Sequence, residues 1–111
     1  MEEGHYKVEF FTINGYGSGV VMIVDGVIGG GDSMMAYNGI YTVSEGILSA
    51  TVNVNKHSSV AGMTSVLGVD NATISLVGLA HSHPIQLTLR EPSLQGLQFH
   101  AQLTKLAPLR P

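Results

Sequence analysis

Apolar and polar residues alternate with a period of two along much of the chain, the pattern of strands with one buried face. Over residues 4–13, Tyr6, Val8, Phe10 and Thr12 share one face, while His5, Lys7, Glu9 and Phe11 share the other. Leu48, Ala50, Val52 and Val54 alternate with Ser49, Thr51, Asn53 and Asn55, the cleanest strand signal in the chain. Ile74, Leu76, Gly78 and Ala80 form another such face, with Val77 and Leu79 leaving its reverse partly apolar. Ile85, Leu87 and Leu89 alternate with Gln86, Thr88 and Arg90. Leu97, Phe99, Ala101 and Leu103 alternate with Gln98, His100, Gln102 and Thr104.

Less regular strands are predicted over 17–24, from Val27 into the Gly29-Gly30-Gly31-Asp32 run, and over 37–43, where Tyr37, Gly39, Tyr41 and Val43 share a side. Asp25-Gly26 between apolar runs is a strong hairpin signal, because both residues tolerate the positive φ of a type I′ turn. Ser44-Glu45-Gly46 reads as a second tight turn. Asp70-Asn71, His83-Pro84 and the polar 91–96 connection mark the later breaks. Residues 57–69 fit a short helix, an edge strand or a lid over the barrel mouth; we expect a loop containing a strand fragment or a helical turn.

About eight short strands with no long amphipathic helix between them predict an all-β fold, a sandwich or a closed barrel. Short connections favour consecutive hairpins, hence an eight-stranded antiparallel up-and-down barrel spanning residues 1–106, with 107–111 a frayed tail. Glycines within strands (Gly19, Gly39, Gly78) suit the bends of a small barrel. Its expected lining includes Tyr6, Val8, Phe10, Tyr41, Leu76 and Phe99. A barrel of this size either fills with side chains or holds one small apolar ligand, and filling is the expectation here.

The composition narrows the function. A chain of 111 residues is one domain, and its 44 % hydrophobic and 12 % charged content excludes disorder while warning of apolar surface. Five Lys and Arg against a net charge of −3 argue against nucleic-acid binding. The absence of cysteine excludes disulfides, thiol catalysis and Cys-ligated zinc. The acidic Met1-Glu2-Glu3-Gly4-His5 start and the lack of a long apolar run lead us to expect a cytoplasmic protein without membrane contact.

The order Gly4-x-Tyr6, Gly17-x-Gly19-Val20, Asp25-Gly26, Gly30-Gly31-Asp32, Tyr37-x-Gly39 and Ser65-Val66-Leu67 runs over nearly the whole chain and resembles the GrlR family of small bacterial regulators. The resemblance implies a lipocalin-like barrel that forms a homodimer. It also implies repression of type III secretion genes by sequestering a transcriptional activator. The partner-binding run of four acidic residues in that family is reduced here to Glu45.

Candidate chemistry is sparse. The 15–19 glycines lack the Gly-Lys-Ser/Thr of a phosphate loop, and the 29–32 run is either an anion-binding bend or a bend requiring special backbone angles. His81 and His83, spaced to share a strand face with His100 as a third partner, lack the ligand count of a zinc site. We therefore expect neither metal, cofactor nor catalytic residues. The expected homodimer surface uses the outward apolar positions Phe11, Val20, Met22, Val77 and Leu79, with Glu45 meeting a protein partner. The alternative is a carrier of a small apolar ligand.

Overall fold

A computed structural model describes residues 1–12, 15–58, 71–90 and 99–108. Eight strands follow in order: β1 (Gly4–Thr12), β2 (Gly15–Val24), β3 (Val27–Gly31), β4 (Met35–Ser44), β5 (Ile47–Lys56), β6 (Asn71–Leu79), β7 (Ile85–Leu89) and β8 (His100–Pro108). Each pairs antiparallel with its sequence neighbours, and β8 pairs with β1 to close the sheet. The molecule is a closed eight-stranded antiparallel barrel with no helix among the described residues.

The closed ring keeps the alternation in step. The register joins inward residues to inward residues around the ring: Tyr6 to Val21, Gly30 to Tyr37, Val52 to Ile74, Ile85 to Leu103 and Leu103 to Val8. These side chains form one apolar core in which Ile23 and Leu48 are each 1 % exposed, and among the described residues no polar or charged residue is buried with it. The core also takes in Ile28, Met34 and Met35, beyond the faces read from alternation. At Gly39 the strands approach so closely that a Cβ would lie 2.4 Å from the Thr51 carbonyl oxygen, which explains a glycine on this inner face.

Both predicted tight turns form. Asp25-Gly26 joins β2 to β3 with φ of 49° and 78°, and Glu45-Gly46 joins β4 to β5 with 53° and 78°. Paired positive φ values at two-residue loops are the type I′ geometry, whose twist matches that of the flanking strands. These two turns, the 80–84 connection, the start of β1 and the end of β8 share one end of the barrel. The link from Asp32 to Met34 lies at the opposite end.

Two expectations need correction. The strand does not fray after residue 106: Ala107 pairs with His5 and Pro108 with Gly4, because β1 starts at Gly4 and offers backbone partners that far, past a register shift at His5 and Tyr6. Pro108, at the strand end, forfeits its donor where little is lost. His81 and His83 sit in the turn after β6 rather than on a strand. The expectations for 59–69, Asp70, the 91–96 connection and 109–111 lie outside the described residues.

Candidate functional site

The barrel interior is nearly full. Its remaining space is about 50 Å³, bordered by side chains such as Val8, Phe10, Leu76 and Leu103, with Met1 closing one end. Small-molecule sites occupy roughly 300–1,000 Å³, so this space is too small for a lipid. Of the expected lining, Val8, Phe10 and Leu76 border the space, whereas Tyr6 borders the mouth. Tyr41 is partly buried against the core and Phe99 belongs to it.

A larger cleft of about 600 Å³ opens at the barrel end that carries the chain start. Ala80, Ile85 and Leu103 supply apolar walls; Glu2, Tyr6, His81, His83 and Lys105 supply polar ones. The register explains the lysine. Lys105 pairs with Tyr6 and follows Ala101 and Leu103 on the inner face, so its side chain enters the mouth instead of the outer surface. Its ammonium donates to Glu2 Oε2 at 2.8 Å and to the Glu3 carbonyl at 3.1 Å, and it lies 5.4 Å from the centre of the Tyr6 ring. Tyr6 donates to the Glu2 carbonyl. Hydrogen bonding from Lys105, then its charge, holds the Glu2 carboxyl below the ordinary carboxylate value. Burial pushes the Tyr6 hydroxyl up.

At the opposite end Asp32 organises the link into β4. Its Oδ1 accepts from the backbone N–H groups of Met34 and Met35 at 2.8 and 2.7 Å, and its Oδ2 accepts from the Tyr37 hydroxyl. His57 Nε2 donates to the Asp32 carbonyl at 2.9 Å. With both carboxylate oxygens engaged, Asp32 is a turn-forming residue and Gly29-Gly30-Gly31-Asp32 is a strand and its capped end. Burial, followed by the Asp32 hydrogen bond, raises the Tyr37 hydroxyl far above the ordinary phenol value.

The outer surface is uneven. Val20 and Met22 on β2, Val27 on β3 and Ile40 on β4 are exposed, Ile40 by 65 %. Register places Met22 opposite Gly29 and Gly29 opposite Asn38, with Val24, Val27 and Ile40 forming the next row. This face carries no charge. At its centre Gly29 has no positive φ, and a Cβ there would meet nothing within 4 Å.

The five expected interface residues do not share this face. Val20 and Met22 lie on it. Val77 and Leu79 are on β6, four strands away in an eight-strand ring and so on the opposite side. Phe11 stacks at 5.3 Å from Tyr16 and 5.9 Å from His100, further round the barrel. Val27 and Ile40, which belong with Val20 and Met22, become visible only once strand pairing is known.

Glu45 is exposed at its turn with φ of 53°. His81 and His83 reach the mouth, while His100 begins β8 toward the other end and bonds Gln86. The three histidines are not brought together, and among the described residues no group of three or more His, Cys, Asp or Glu is placed to hold a metal. Sequence reasoning missed Lys105; extending the alternation from Leu103 by two residues would have found it. No model of a known protein family matches the chain, and no curated protein matches it.

Proposed function

We propose that the chain is a non-enzymatic binding protein of the cytoplasm that works through the outside of its barrel. Two copies pair across the β2–β4 face, and the dimer presents the Glu45 turn to a protein partner. Negative control of type III secretion genes by capture of an activator, implied by the likeness to the GrlR family and its lipocalin-like barrels, is part of the same proposal.

The observation that carries it is the uncharged apolar face around Gly29. Exposed Val20, Met22, Val27 and Ile40 together form a continuous patch, not the scattered residues of an ordinary surface. Glycine in a strand weakens it, and at Gly29 neither backbone angle nor close neighbour within the barrel demands one. A flat partner surface supplies the reason. The occupant is a second copy, as the homodimer implied by the GrlR likeness requires, and an uncharged face lets two chains of net charge −3 meet there without like charges in contact. A mostly polar outside on β5–β8 and an apolar inside are the reverse of a membrane-spanning barrel, which supports action in water.

Glu45 has a comparable argument. Positive φ is uncommon outside Gly, Asn and Asp, so the turn itself would favour another residue there. Its exposed carboxylate is the contact assigned to the partner.

Sedimentation velocity at micromolar concentration tests the pairing. The wild-type chain should sediment as a dimer and Ile40→Lys as a folded monomer. A monomeric wild type, or an Ile40→Lys dimer, overturns the proposal. For the second surface, Glu45→Lys should reduce retention of the activator on immobilised dimer without changing sedimentation.

A further inference from the structure

We propose that the barrel mouth binds a medium-chain monocarboxylate, with Lys105 as its charge partner and Glu2 as a resident carboxylate that the ligand displaces. The site is independent of the outer faces. It stands on an inward-facing charge at the edge of an otherwise apolar barrel lining. Lys105 occupies the inner position of β8 next after Leu103 and is paired with Tyr6, and a cleft of about 600 Å³ lies over it. That volume falls within the roughly 300–1,000 Å³ of small-molecule sites, which are typically apolar with a few convergent polar groups.

The ammonium has three donors, of which Glu2 Oε2 and the Glu3 carbonyl take two. Glu2 makes a poor structural partner: its side chain is 78 % exposed while that of Lys105 is 21 % exposed, and pairs reaching solvent contribute little to stability. The same carboxylate does show which chemistry the pocket accepts. A ligand carboxylate can take its place on Lys105, with the Tyr6 ring beneath the cation and His81 and His83 at the rim. Leu103, Ile85 and Ala80 give the hydrocarbon tail an apolar wall. One lysine suits a monoanion. Phosphate would meet the same cation but has no tail to cover the apolar wall, so it gains less there.

Octanoate, 1-octanol and inorganic phosphate are the probes, added to the full chain and followed by amide resonances and titration calorimetry. Octanoate should give saturable shifts at residues 80–84 and 103–105, and 1-octanol and phosphate should bind at least about tenfold more weakly. Lys105→Met should weaken octanoate binding by about tenfold or more. Glu2→Gln, an exposed change that leaves the fold intact, should tighten it by about threefold or more, because the internal competitor is gone. A purely structural Glu2 would not produce tightening. The proposal is overturned if octanoate gives no saturable shifts, if its shifts fall on the barrel interior, if 1-octanol or phosphate binds as well, or if Glu2→Gln leaves affinity unchanged or lowers it.

Discussion

Tyr37 illustrates how one residue ties stability to pH. Its ring is 3 % exposed, and its hydroxyl donates to Asp32, which in turn holds the backbone of Met34 and Met35. Burial first, and the carboxylate second, favour the protonated phenol, so the folded value lies above the unfolded one. The stabilisation is therefore complete below the ordinary tyrosine value of 10.0 and is lost as pH rises beyond it, where the unfolded chain sheds its proton first. Tyr6 is shifted the same way. Denaturant unfolding across alkaline pH should show stability falling above that value. Tyr37→Phe should cost about 1.5–3 kcal/mol at neutral pH, for the lost hydrogen bond to a carboxylate, and flatten the alkaline decline. An unchanged alkaline slope in Tyr37→Phe contradicts this account of the group.

At the scale of the strand and its turn, two glycines serve different ends. Gly46 has a φ of 78° and open space around its missing Cβ, so alanine there pays only the left-handed backbone, about 1 kcal/mol. A Cβ at Gly39 would meet the Thr51 carbonyl at 2.4 Å and Val52 Cα at 2.9 Å, so two strands must move apart. Urea unfolding should give Gly39→Ala a loss of about 2–3 kcal/mol, larger than that of Gly46→Ala. Equal losses would mean that the strands yield freely at this corner.

Elements were legible where sequence alone decides them. Alternation marks β5 and the inner faces of β1 and β6 because a half-buried strand must alternate, and the two Gly-containing turns are dictated by local φ. Met34 and Met35 joined the core unannounced. Met34 enters from the irregular link held by Asp32, where no period exists to read, whereas Met35 opens β4 and shares its inner face with Tyr37 two residues on. The site was less legible than the fold. Val77 and Met22 are equally outward by alternation, yet closure places their strands on opposite sides of the ring. Lys105 was readable in principle, since the alternation that places Leu103 inward continues to it.

The whole molecule divides its labour by surface. A filled interior supplies stability, the mouth at the chain start gathers polar groups, and the β2–β4 face remains apolar in water. The central claim is that this last face joins two copies. Because the chain contains no cysteine, a single introduced one takes a spin label uniquely. Thr51, beside Ile40 at the rim of the face, and Thr88, on β7 across the ring, are both exposed. Dipolar spectroscopy of Thr51→Cys and Thr88→Cys should give inter-protomer distances for both labels, clearly shorter at 51 than at 88. The reverse order, or no inter-protomer coupling at 51, would contradict pairing through the β2–β4 face.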